Sequence, residues 1–269
     1  MNLVSSLPFL SLPVLYAIEN NLVEHHINIK YLHENDILSS LTEGSADAAF
    51  ISPLTFARNT SGLQIVRDFT VNSPNYGRNA LLFFSGNLTS IDTIYFESGK
   101  DNNEFDLFLA EVVLKEYFEI IPQWEKIENV IPDSKALASH KVIFIPSPIS
   151  FDMYPDYENY IDLSEEWSLQ TELPLVHGLL CVTNSFKDRE SLAKLRLSRE
   201  LGLRNLMKIA KRYAENHPQN WDVYFDLWNE KYQYYPVPET WDSLEQLFSY
   251  MFYYARAEYY PELKFYPED

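Results

Sequence analysis

A nearly unbroken apolar run, Leu173 to Val182, follows a polar stretch, Asp162 to Thr171, that carries Trp167 in a helical turn. A run this short, bounded by Pro and by Thr-Asn, predicts a strand buried on both faces. His177 and Gly178 interrupt it. A His needs a hydrogen-bond partner, and a Gly lets another backbone or a ligand approach.

Upstream, residues 2–9 and Ile27 to Leu32 read as strands. Leu12 to Asn20 reads as a helix with Pro13 in its first turn and Val14, Ala17 and Ile18 on one face. Asn35 or Asp36 is suited to cap a helix from Ile37 to Glu43 that ends at Gly44. Ala46 to Pro53 holds a short buried strand ending in a polar turn. This alternation predicts an α/β fold with parallel strands. Ligands in such sheets bind outside the carboxyl ends of the strands, which makes Ser52 a candidate site residue. Ser52-Pro53 equally suits the cap of a following helix.

Residues 64–70, 78–85, Thr93 to Phe96 and Lys141 to Pro146 read as further strands. The polar turn from Ser98 to Asn103 feeds a helix, Phe105 to Tyr117, with apolar residues at 105, 108, 109 and 112. Such a turn is either an anion site or an ordinary capped start. Phe151 to Tyr160 reads as loop. Two Lys- and Arg-rich helices, Lys187 to Glu200 and Leu203 to Asn216, flank Gly202. Their charge reads as a solvated face or as a dock for an acidic partner. Trp221, Tyr224, Phe225 and Trp228 form one stripe, and Trp241, Leu244, Leu247, Phe248 and Met251 another, as core-facing helices would. The Tyr surplus at 253–266 suits a partner subunit, as in a homodimer.

Composition narrows the function. Hydrophobic residues at 46% and a length of 269 give ample core. The net charge of −18 disfavours nucleic acid and anionic membranes as partners. The chain has no G-x-G-x-x-G and no P-loop, and neither metal-ligand spacing nor a nucleophile elbow, so no cofactor and no metal are expected. Cys181 lies in the apolar strand and reads as an inert thiol. No run is long enough to cross a membrane. The apolar start lacks a Lys or Arg before it and is broken by Pro8 and Pro13, unlike a secretory leader, so the expected location is cytoplasmic.

The acidic-Trp, Leu-Pro and apolar-strand passage at 162–183 resembles the chorismate dehydratases of the futalosine menaquinone pathway. Leu41 to Pro53 resembles a passage shared by such binding folds, and Arg78 to Ser85 the outgoing hinge strand. The resemblance implies a two-lobed type II periplasmic-binding-protein-like fold. Lobe one would hold residues 1–85 and 176–269, with C-terminal helices packed on it, and lobe two residues 86–175. It also implies a small aromatic or carboxylic ligand bound by Ser11, Ser52, Asn79, Ser98, Asn102 and His177. A His bonded to a backbone carbonyl would instead serve structure alone.

The family removes water from chorismate, so an active member is a carbon–oxygen lyase. Its Ser-Tyr-Leu-Asn-x-x-Pro passage, whose Asn faces the substrate, matches Leu7 to Pro13, with Leu10 at the Asn position and Ser11 beside it. Its hinge Ser falls at Asn79 and its Ser-Arg-Thr-Ser turn at Lys100 to Asn103. The Asp of its Gly-Asp-x-Ala turn is missing at Pro146-Ser147-Pro148. These departures imply weak or absent dehydration of chorismate, or a non-catalytic solute-binding module.

Overall fold

The computed structural model describes residues 1–86, 91–97, 104–127, 136, 142–153 and 159–267. Contacts divide the chain into two units, Met1–Ser73 with Pro174–Asp269, and Pro74–Leu173. The first unit is built on a sheet of order β2–β1–β3–β10–β4. Its strands are β1 (Asn2–Ser5), β2 (Asn28–Tyr31), β3 (Ala48–Ile51), β4 (Leu63–Ser73) and β10 (Leu175–Thr183). β1 pairs in parallel with β2 and β3, as the α/β alternation predicts. β10 runs antiparallel between β3 and β4. Every residue from Leu175 to Val182 is buried, as befits an interior strand. Burial also pushes the Cys181 thiol well above its usual range, so it stays protonated.

Helix α1 (Pro8–Glu19) begins earlier than the sequence suggests. Pro8 takes the first turn, and β1 stops at Ser5. Pro13 therefore lies inside the helix, where it has no N–H to give the Phe9 carbonyl. Trp228 supplies a donor instead, its Nε1 reaching Phe9 O at 3.1 Å. A cap at Asn35 or Asp36 is not formed either, since α2 (Glu34–Thr42) starts after His33. Gly202 lies within α7 (Arg189–Leu203), and the chain breaks only before α8 (Leu206–Ala214). A Cβ on Gly202 would fall 1.8 Å from the Pro13 carbonyl oxygen, so α1 and α7 touch backbone to backbone.

The stripe residues Tyr224 and Trp228 are buried, in α9 (Trp221–Asp226) and the π-helical turn Leu227–Lys231 that continues it. Trp221 faces outward. α10 (Thr240–Tyr253) buries Leu244, Leu247, Phe248 and Met251 and packs on α3 (Pro53–Ala57) and β10.

The second unit holds a sheet of order β7–β6–β8–β5–β9. Its strands are β5 (Leu81–Phe84), β6 (Thr93–Glu97), β7 (Gln123–Ile127), β8 (Val142–Ile145) and β9 (Tyr160–Asp162). A border at residue 85 falls inside this unit, because β5 pairs with β8 and β9. β7 and β9 are edge strands that apolar patterning did not mark. β7 is largely exposed and charged, and β9 is three residues long and starts at Tyr160, where the stretch read as loop ends. The helices are α4 (Glu104–Val112), prolonged by a π-helical turn Val113–Tyr117, α5 (Ile149–Asp152) and α6 (Leu163–Thr171). Asp162 caps α6 by accepting from Ser164 N and Glu165 N, and Trp167 is fully buried. No helix among the described residues is long and apolar enough to cross a membrane.

Candidate functional site

In the first unit, Leu179 pairs with Ile51 and Leu175 with Ser73. The carboxyl ends of β1, β3 and β4 and the start of β10 therefore share one sheet edge. Ser11, Ser52 and His177 all belong to that edge. Ser52 caps α3, accepting from Thr55 N at 3.2 Å. Its hydroxyl also donates to Glu34 Oε1, as does that of Thr55. Ser11 is buried in α1, donates to Leu7 O at 2.8 Å and lies 3.1 Å from Ser5 Oγ at the end of β1. Leu10, its neighbour, is also buried.

His177 is 1% exposed, with Nε2 2.7 Å from Ser73 Oγ and its ring edge-on to Tyr232. Its Nδ1 is buried without a hydrogen-bond partner. Burial lowers the ring's pKa to about 3, so the imidazole is neutral at pH 7. Its partner is a side-chain hydroxyl, not a backbone carbonyl. Gly178 follows because a Cβ there would meet Leu7 Cδ1 and Phe50 Cε1 at 2.9 Å each.

In the second unit, Asn79 lies just before β5, opposite the carboxyl end of its partner β8. Its Nδ2 donates to Asp106 Oδ1, and its carbonyl accepts from Ser150 Oγ at 2.7 Å. Asp106 also accepts from Ser147 N at 2.8 Å and Ser147 Oγ at 2.7 Å through Oδ2. A carboxylate thus faces Ser147 from α4, although residue 147 carries none itself. Sequence reasoning missed Asp106, since an acidic residue in a first helical turn is ordinary. It also missed Asp162, which is buried and accepts from Arg78 N at 2.6 Å. Burial raises the Asp162 carboxyl to about 6 despite its three backbone N–H donors. Ser98 and Asn102 lie outside the described residues.

Among the described residues no group of His, Cys, Asp and Glu is placed to hold a metal ion. The His25 ring sits 3.0 Å from Ile18 O through Nε2 and accepts from Ile27 N through Nδ1. The edge in the first unit thus offers hydroxyls, a neutral imidazole and a carboxylate already held by donors, and the one in the second an amide, hydroxyls and a carboxylate held likewise. Each set by itself suits hydrogen bonding better than proton abstraction.

The sequence model of a family described as menaquinone biosynthesis matches residues 9–253. No curated protein sequence matches the chain. Among solved structures, protein AF1704 from Archaeoglobus fulgidus is similar with a TM-score of 0.71 at 14% identity, over 94% of this chain and 97% of that one. The periplasmic aliphatic sulphonate binding protein SsuA from Escherichia coli follows at 0.62 and 11%, over 97% and 94%. The Candida albicans CA3427 product, described as having the generic periplasmic binding protein structural fold, gives 0.57 at 10%, over 100% and 98%. These likenesses show the fold, the two-lobed type II periplasmic-binding-protein-like architecture.

Proposed function

From the premise that the chain belongs to the menaquinone biosynthesis family, we propose that it binds a small carboxylic or aromatic ligand and dehydrates chorismate weakly or not at all. The observation that carries this reading is Leu10. It stands, buried, in the first turns of the helix that follows β1, where the chorismate dehydratases it resembles place a substrate-facing Asn. Elimination of water needs a base aligned with the departing proton and donors aimed where the leaving hydroxyl gathers charge. Leucine supplies neither. His177 is a weak base once burial has lowered its pKa to about 3. Glu34 is held by two hydroxyls, and Asp106 by Asn79 and Ser147. Removing one pre-aimed donor commonly lowers a rate by about a hundred- to a thousandfold.

The test incubates the purified full chain with chorismate and follows the enolpyruvyl-oxybenzoate product by chromatography. The expected turnover is well below about 1 per second, the lower end of ordinary enzyme rates. Turnover at or above that rate overturns the proposal. Leu10→Asn is expected to raise product formation. A thermal-shift arm with chorismate checks binding separately, since a ligand at 100 times its Kd adds about 2.7 kcal/mol. Stabilisation by chorismate without product would identify the receptor-type reading, a binding module with no chemistry.

A further inference from the structure

A cavity of about 370 Å³ lies in the first unit between the later turns of α1 and helix α8. The proposed function makes no use of it: Leu10 and Ser11 do not line it, and α1 contributes Leu12, Tyr16 and Glu19. The volume is in the range of small-molecule sites. One wall is aromatic, from Tyr16, Tyr213 and His217. Tyr213 is held firmly, 3.7 Å from the nearly parallel His217 ring and edge-on to Phe9, Tyr224 and Trp228. A wall braced by the core in this way is pre-shaped for another flat ring.

The rest of the lining is polar and carries both signs of charge. Arg212 Nη1 donates to Asn20 Oδ1 at 2.6 Å. Glu19 Oε1 accepts from the Tyr31 hydroxyl at 2.7 Å. Both charges line the same cavity, each hydrogen-bonded to a neutral partner; burial raises the Glu19 carboxyl's pKa, while the Tyr31 hydroxyl and the Arg212 charge nearby act to lower it. A guanidinium and a carboxylate lining one cavity complement a molecule that carries an anion and a cation of its own. The guanidinium fork fits a carboxylate, and Glu19 fits an ammonium group.

We infer that this cavity binds a small aromatic zwitterion, with its carboxylate on Arg212, its ammonium on Glu19 and its ring against Tyr16 and Tyr213. The inference is independent of the fate of chorismate. Its test is calorimetric titration of the full chain at pH 7 with three probes: L-phenylalanine, hydrocinnamate, which lacks the ammonium, and phenethylamine, which lacks the carboxylate. Phenylalanine is expected to bind at least about tenfold more tightly than either, a difference of about 1.4 kcal/mol.

Arg212→Gln should erase its advantage over phenethylamine, and Glu19→Gln its advantage over hydrocinnamate. Unchanged unfolding temperatures of the free variants would show that both remain folded. No heat with millimolar phenylalanine overturns the inference, as does an affinity unaltered by both substitutions. Displacement of bound phenylalanine by chorismate also overturns it, because the two would then share one site.

Discussion

Gly202→Ala tests the backbone contact between α1 and α7. The added methyl would lie 1.8 Å from the Pro13 carbonyl oxygen, 2.8 Å from its carbon and 3.4 Å from its Cα. A carbon resting against a carbonyl oxygen needs about 3.3 Å, so α7 and α1 must part by roughly 1.5 Å. All three obstacles are backbone atoms, and no rotamer change can relieve them. Overpacking typically costs about 1–3 kcal/mol, and a rigid obstacle puts this site at the upper end. Alanine returns about 1 kcal/mol through its better helix propensity.

The net expectation is a loss of about 2 kcal/mol, or a fall of about 4–8 °C in unfolding temperature. Differential scanning calorimetry and urea titration would measure it. Gly62→Ala is the control, since a Cβ there meets only the Asn59 carbonyl oxygen at an ordinary 3.8 Å. Its effect should stay within about 0.5 kcal/mol. A Gly202→Ala protein as stable as the parent, or more so, would refute the backbone contact between α1 and α7.

Other perturbations read different parts of the structure. Trp228→Phe removes the donor to the Phe9 carbonyl and should cost about 1–3 kcal/mol. Adding Pro13→Ala restores an in-helix N–H, so the double variant should lose less than the sum of the singles; simple additivity would sink the account. His177 has a folded pKa lowered to about 3, so its contribution is present above its ordinary value of 6.5 and is lost as pH falls toward 3. Between pH 7 and pH 5 the parent should lose about 2 kcal/mol relative to His177→Gln. Urea titrations at both pH values would show this, and equal losses would refute it. Asp162 works in the opposite sense, its contribution being lost as pH rises through about 6, but it is common to both proteins and cancels. Asp106→Ala removes the acceptor that Asn79 and Ser147 share and should cost about 3 kcal/mol or more, with Asp106→Asn milder because one acceptor remains. A smaller loss for Ala than for Asn would contradict the role given to this carboxylate.

Local patterning alone determined much of the fold. The apolar run at 175–182, interrupted only by His177 and Gly178, reads as an interior strand, and the α/β alternation of the first fifty residues follows from period and punctuation. The aromatic stripes at Tyr224, Trp228 and Leu244–Met251 announced core-facing helices, since an apolar face must be covered. The edge strands β7 and β9 carry no such mark, because an edge strand need not be apolar to be held by its neighbour's hydrogen bonds.

The partners of the polar residues were decided by tertiary structure. Ser52, Ser11, Asn79 and His177 could be named from their place at strand ends and helix starts. That Ser52 would meet Glu34, Asn79 would meet Asp106 and His177 would meet Ser73 depends on residues 18, 27 and 104 positions away. A Pro inside α1 reads as a breaker until Trp228, far along the chain, answers the carbonyl it leaves. Hydrophobic periodicity is a property of neighbours in sequence. Hydrogen-bond satisfaction is a property of neighbours in space, and only the folded chain brings those together.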